Sequence, residues 1–142
     1  VHQDEQRRIT SFLASIGDHY MSISELTVQL TNAFRALNSE ITQNPSILDK
    51  LVMSILRCSV ELPHKSSIYA TLCALLCSSS NKTHAVLDSF GMRLIGGLIS
   101  TFQNLFKEGS LPKCRRILRF LSELSNTRVI SSDSFAQFLL NL

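Results

Sequence analysis

The amino-acid sequence predicts an all-α protein whose helices pair into a solenoid. Apolar residues recur at spacings of three and four along most of the chain, which is the helical period. The clearest case is the stretch Leu111–Ile130, whose apolar face carries Cys114, Ile117, Leu118, Leu121 and Leu124. No stretch alternates apolar and polar residues for long enough to predict a strand. The 142 residues include only three Pro and five Gly, so few turns interrupt the helices.

The first helix is predicted from about Asp4 to Ser15, with Gly17 and Asp18 ending it. Its inward residues are expected to be Ile9, Phe12, Leu13 and Ile16.

The second helix is predicted to begin at Ser22 or Ser24 and to end at Asn38 and Ser39. Glu25 follows Ser22 at the spacing of a capping box, in which each side chain bonds the other residue's backbone N–H.

The third helix has the most regular periodicity, and Asn44-Pro45 is predicted to start it. Its apolar pairs recur every four residues: Ile47, Leu48, Leu51, Val52, Ile55 and Leu56. Arg57 and Glu61 are placed to form an ion pair on its exposed face, and Leu62-Pro63 ends it.

The fourth helix is predicted to start near Ser66 and to lie in the centre, because it is apolar nearly all round. A polar break follows at residues 78–82. A fifth helix is then predicted from about Thr83 to Lys107, with a kink or a split near Gly91 and with Gly109 as its C-terminal cap.

The last two helices are predicted to begin at Ser110, followed by Pro112 in the first turn, and at Ser132. The last one bears Phe135, Phe138, Leu139 and Leu142. Residues 22–62 and 64–107 each have about the length of a helix pair in HEAT-type repeats. The prediction is a right-handed α-solenoid of antiparallel HEAT-like helix pairs, with about six to eight helices.

Composition indicates one helical-repeat domain over residues 1–142. The chain opens on Val1 without Met and ends inside an apolar run, which predicts a fragment of a longer protein. No apolar run reaches the length of a membrane span, so no membrane association is expected. Cys58, Cys73, Cys77 and Cys114 all lie in apolar helical runs, which favours buried free thiols and a reducing compartment.

No residue pattern predicts catalysis, a cofactor or a metal. Cys73 and Cys77 have the wrong spacing for a zinc knuckle, and no Gly-rich phosphate loop follows a strand. A helical enzyme that uses one of the cysteines remains an alternative. Asn81-Lys82-Thr83 matches a glycosylation acceptor but is interpreted as a loop, and Gly96-Gly97 as a close helix contact.

The charge distribution offers the one candidate partner or RNA surface. Residues 1–62 carry five Lys/Arg and seven Asp/Glu, whereas residues 63–142 carry nine and four. The polar face of the 111–130 stretch is predicted to hold Arg115, Arg116, Arg119 and Glu123. The candidate surface comprises Lys113, Arg115, Arg116, Arg119 and Arg128. A solvated helix face without a partner is the competing interpretation.

A base-stacking site is not expected. Proteins that hold a cap nucleotide or single-stranded bases stack them on aromatic side chains. This chain has no Trp, its eight Phe lie mostly at core spacing, and its two Tyr are Tyr20 and Tyr69, the latter in the central helix.

Three runs resemble the large subunits of nuclear cap-binding complexes. They are Ile16-Gly17-Asp18, then Leu62–Leu72 with its Leu-Pro, Lys and Ile-Tyr pattern, then Arg119–Leu124 followed by Val129-Ile130. Their order and separations match that family over nearly the whole chain. Between Cys77 and Leu98 this chain is several residues longer than the family pattern.

The resemblance implies the first of three helical domains of the type named after the middle domain of translation initiation factor 4G. It implies a non-catalytic nuclear scaffold, with shuttling to the cytoplasm left open. Its partners would be the small cap-binding subunit, contacted mainly through later domains, together with RNA-processing and export proteins. Capped RNA would be bound only indirectly. The alternative is a related domain of a translation initiation or nonsense-mediated decay factor that binds a helicase or RNA.

Overall fold

A computed structural model describes residues 2–19, 21–79 and 85–142, with side chains in these ranges except at 2, 79 and 85–89. Seven α-helices lie in this part of the chain: α1 (His2–Ser15), α2 (Ile23–Gln43), α3 (Ile47–Glu61), α4 (Ser66–Ser79), α5 (Ala85–Lys107), α6 (Leu111–Asn126) and α7 (Ser132–Leu140). One 3₁₀ turn, Pro63–Lys65, joins α3 to α4. No strand occurs in these ranges.

The helices form two layers. In one layer α3 packs between α1 and α5, and in the other α4 packs between α2 and α6. Contacts of α4 with α5 and of α3 with α6 join the layers, and α7 packs on α6. The predicted all-α solenoid is confirmed, and each of the repeat-length segments 22–62 and 64–107 supplies one helix to each layer.

The core lies between the layers and along α4. Its largest fully buried side chains include Tyr69, Phe90 and Phe120. The central position predicted for α4 is confirmed by Tyr69, Ala70, Leu72 and Cys73, none of which is exposed. Phe12 was expected to face inward, but it lies at the rim of a cleft beside α2 and is 37% exposed.

Some predicted helix boundaries are wrong by a few residues. The capping box of Ser22 and Glu25 is present, with both hydrogen bonds. Yet α2 continues past Asn38 to Gln43, because Ile41 extends its buried face. Asn44 then ends α2, and its carboxamide oxygen accepts from the backbone N–H of Ser46. The third helix therefore starts at Ile47, two residues beyond the predicted proline.

The fifth helix does not split at Gly91. It runs from Ala85 to Lys107 as one element. Within it, Gly97 allows α5 to approach α3 closely. A Cβ atom at Gly97 would lie 2.9 Å from Cδ1 of Leu56, which is the close helix contact that the sequence indicated. Gly109 ends the segment with a φ of +77°, as expected of a C-terminal cap. The last helix is capped by Ser131, one residue before the predicted Ser132.

Two expectations lie largely outside the described residues. They are the polar break at residues 78–82 and the glycosylation pattern at Asn81. Residues 80–84 of the stretch between Cys77 and Leu98, which departs from the family pattern, also lie outside the described residues. No described helix is long and apolar enough to cross a lipid bilayer.

The C-terminal end of α1 is held by a cluster that we call the α1 clamp: Asp18, Lys65 and Tyr69. The last four carbonyls of a helix lack partners within the helix. Lys65 donates to the carbonyl of Ala14 at 2.6 Å and forms an ion pair with Asp18. The Tyr69 hydroxyl donates to the carbonyl of Leu13 at 3.0 Å.

The remaining two carbonyls at this end of α1 are bonded locally. The Ser15 hydroxyl donates to the carbonyl of Phe12 at 2.7 Å, and the backbone N–H of Asp18 donates to the carbonyl of Ser15 at 3.2 Å. Gly17, with a φ of +76°, turns the chain here. The clamp thus joins two runs that the sequence analysis singled out, Ile16-Gly17-Asp18 and Leu62–Leu72.

The α1 clamp makes stability depend on pH. The hydrogen bond from Lys65 lowers the pKa of the Asp18 carboxyl below its usual value of 3.8. A carboxyl with a lowered folded-state pKa stabilises the fold above its unfolded pKa, and this contribution is lost as the pH falls through the folded value. Asp18→Asn should therefore lower the free energy of unfolding at pH 7, and the difference from wild type should shrink towards pH 2.5.

Urea unfolding followed by circular dichroism across this pH range measures the difference directly. Asp133→Asn removes an exposed carboxyl from the first turn of α7 that forms no ion pair among the described residues, and it serves as the control for the loss of one carboxylate. A difference between Asp18→Asn and wild type that stays constant with pH would contradict the role of the ion pair.

Candidate functional site

Helix α6 presents one buried face and one mainly basic face, on which Arg115 and Arg119 are exposed and Glu123 is half-buried. Cys114, Ile117, Phe120, Leu121 and Leu124 are buried. This confirms the predicted apolar face, except that Leu118 is only half-buried and Phe120 belongs to it. The helix begins after Ser110 with Pro112 in its first turn, as predicted, although the Ser110 hydroxyl makes no capping hydrogen bond.

The structure separates the five predicted surface cations by environment. Lys113, Arg115, Arg119 and Arg128 are exposed, whereas Arg116 is half-buried. Arg116 donates to the carbonyl of Val60 at 2.8 Å. That carbonyl is one of the last four of α3, so Arg116 caps a neighbouring helix and does not lie on the free face. The prediction that Arg116 lies on the solvated face is wrong, because its half-buried side chain bonds the Val60 carbonyl of α3.

Only two of the exposed cations share the middle of the basic face. Arg115 and Arg119 are one helical turn apart and lie opposite the buried residues of α6. Lys113 and Arg128 lie near opposite ends of the helix, roughly 20 Å apart along its axis. Arg128 follows the end of α6 with a φ of +64°, a left-handed conformation more common for Gly.

These four cations are unpaired within the described part of the chain. All five ion pairs found there use cations from α1, α3, the 3₁₀ turn or α5: Arg8–Glu40, Lys50–Glu5, Arg57–Glu61, Lys65–Asp18 and Arg93–Asp49. The predicted Arg57–Glu61 pair is among them, at 3.0 Å. Arg115 and Arg119 therefore keep their guanidinium groups available to a ligand from solution.

The cysteines lack the features of a catalytic nucleophile. Cys58, Cys73 and Cys114 are buried and Cys77 is half-buried. Burial raises the pKa of the Cys58, Cys73 and Cys77 thiols, which disfavours the reactive thiolate. Within the described residues no three His, Cys, Asp or Glu side chains come together as metal ligands would.

Few aromatic side chains are exposed on the described surface. Tyr69 is fully buried, and burial raises the pKa of its hydroxyl, so it remains a hydrogen-bond donor at neutral pH. The exposed aromatic side chains there are Phe12 on α1, Phe106 on α5, and the imidazoles His19 and His64. Tyr20 lies outside the described residues.

Sequence reasoning missed an apolar cleft of about 440 Å³ between α5 and α7. Phe102 and Phe138 meet edge to face across it, with ring centroids 5.5 Å apart. Phe106 and Leu142 line it and are 59% and 62% exposed. Their helical spacing matched that of core residues, so the sequence gave no sign that they would be exposed.

The described residues form a two-layer solenoid of helix pairs, which places the chain in the class of helical-repeat proteins. Residues 7–142 match the family described as the MIF4G domain, so the chain belongs to the MIF4G domain family.

Two curated relatives are similar over almost all of the chain. Nuclear cap-binding protein subunit 1 of Aedes aegypti is 28% identical over 141 residues, which is 99% of this chain and 16% of the relative. Nuclear cap-binding protein subunit 1 of Anopheles gambiae is 27% identical over 138 residues, or 97% of this chain and 16% of the relative. The resemblance seen in the sequence is confirmed, and the chain spans about one sixth of the length of these relatives.

The hydrogen bond of Arg116 predicts a contrast between adjacent arginines. Arg116→Ala should lower the free energy of unfolding by about 1–2 kcal/mol, because it leaves the Val60 carbonyl without its charged donor. Arg115→Ala is the matched control and should change it by less than about 0.5 kcal/mol, since the side chain is exposed. Urea denaturation of both variants provides the comparison, and equal effects would contradict the capping role of Arg116.

Proposed function

We propose that this chain is a single helical-repeat domain of a nuclear cap-binding complex large subunit. In this proposal it is a non-catalytic scaffold that supports RNA cap binding, processing and export by docking protein partners. The observation that carries the proposal is the similarity to nuclear cap-binding protein subunit 1 across 99% of the chain. The site of action would be the nucleus, with shuttling to the cytoplasm as part of the same proposal.

The tertiary structure supports the proposal through the α1 clamp. Two runs that resemble the cap-binding large subunits, Ile16-Gly17-Asp18 and Leu62–Leu72, are distant in sequence. They meet where Lys65 pairs with Asp18 and where Tyr69 bonds the end of α1. The resemblance therefore includes residues from two separate runs that contact each other in the fold. Unrelated matches between packing patterns would not need to meet in this way.

In this proposal the small subunit binds the cap and this domain docks protein partners. The positions of the aromatic residues are the reason for this assignment. A cap base is held by stacking between aromatic rings. The two exposed Phe rings of the described residues, Phe12 and Phe106, lie on helices of the same layer that are separated by α3. We therefore assign the cap to a small subunit and give this domain a docking role. The small subunit would be contacted mainly by parts of the longer protein beyond residues 1–142.

The docking surface in this proposal is the exposed face of α6. Arg115 and Arg119 supply two unpaired guanidinium groups, and Lys113 and Arg128 extend the positive potential towards the two ends of the helix. Arg116 contributes by holding α6 against the end of α3.

Retention on a cap-analogue resin tests the assignment. The full-length protein should be retained on 7-methylguanosine cap resin only when the small cap-binding subunit is present, and free cap analogue should elute both. Unmethylated GTP as the competitor is the control for nonspecific binding. Retention of the large chain alone would place a cap site in it and contradict the division of labour. Retention in neither case would favour a translation initiation or nonsense-mediated decay factor that binds a helicase or RNA.

A further inference from the structure

The exposed face of α6 combines unpaired guanidinium groups with adjacent apolar surface. Arg115 and Arg119 lie in its middle, and neither takes part in an ion pair within the described residues. Leu111 at the start of the helix is 54% exposed, and Leu118 is half-buried. Helical spacing places both leucines beside the two arginines along one edge of this face.

We propose that this face of α6 binds an extended acidic segment of a partner protein, whose alternate carboxylates meet Arg115 and Arg119. The inference rests on the proposed scaffold function and names the chemistry of its partner.

The spacing of the two arginines fits such a segment. Residues four apart on a helix are separated by about 6 Å along its axis. Alternate residues of an extended chain are separated by about 6.6 Å and point to the same side. A guanidinium group binds a carboxylate through two parallel hydrogen bonds, so each arginine takes one acidic side chain of the segment.

The surface is better suited to a peptide than to RNA. Sequence-specific and single-stranded RNA binding uses aromatic platforms, and the one aromatic residue of α6, Phe120, is fully buried. Leu111 and Leu118 offer apolar contact to the side chains between the acidic residues of a peptide. A phosphate–ribose backbone has no apolar group to place against them.

Fluorescence anisotropy with defined probes tests the proposal on the purified protein. The first probe is a fluorescein-labelled peptide of alternating Glu and Ser, and its matched control is the alternating Gln and Ser peptide. An oligouridine of similar length is the RNA probe. Measurements at about 50 mM salt keep the screening length near 14 Å, so that exposed charges still interact.

The double variant R115E/R119E should weaken binding of the Glu-Ser peptide about tenfold or more. The control R7E/R35E makes the same change of net charge on α1 and α2, where both arginines are also exposed. It should change binding by less than about twofold. Circular dichroism of both variants confirms that the fold is retained.

Three outcomes would overturn the proposal. Equal losses of affinity for the Glu-Ser peptide in the two double variants would show that net charge alone attracts the peptide. Unchanged affinity in R115E/R119E would exclude the α6 face as the binding site. Tighter binding of oligouridine than of the Glu-Ser peptide, lost in the same variant, would make the face an RNA surface. Failure on the cap resin with intact peptide binding would reject the cap-complex assignment and leave the acidic-segment site standing.

Discussion

One buried cation, Lys65, anchors the C-terminal end of the first helix. Its side chain is only 5% exposed, and its ammonium group bonds both the Ala14 carbonyl and Asp18. Burying a charge is unfavourable unless it is paired and hydrogen-bonded, and here both conditions are met. A cation at the negative end of a helix dipole adds about 1–2 kcal/mol in a partly buried setting. The same contact fixes the start of α4, the central helix of the core, relative to α1.

Periodicity and capping rules predicted the helices, because each depends on residues close in sequence. The capping box of Ser22 needs only Glu25, and the buried face of α3 follows from its own spacing. The extension of α2 to Gln43 depends on burial of Ile41, and the close approach of α5 to α3 depends on Gly97 against Leu56. Likewise, the helical period predicted the exposure of Arg115 and Arg119. The hydrogen bond from Arg116 to α3 could be seen only in the folded structure, because its acceptor is distant in sequence.

The molecule separates the residues that make the fold from those available to partners. The runs that resemble the cap-binding large subunits supply the α1 clamp and the buried Phe120, Leu121 and Leu124 of α6. The unpaired cations of α6 lie on the other side of the same helix. Exposed substitutions have little effect on stability, so the outer face of α6 can vary in sequence while the core of this MIF4G domain is kept.

Native-state hydrogen exchange of Lys65→Met tests most directly the claim that a buried cation holds α1 on the solenoid. Lys107→Met, which removes an exposed lysine from the end of α5, is the matched control. We expect amide protons of α1 to exchange about tenfold faster or more in Lys65→Met, while those of α5 and α6 keep their protection. Unchanged protection of α1, or an equal loss in every helix, would contradict the account.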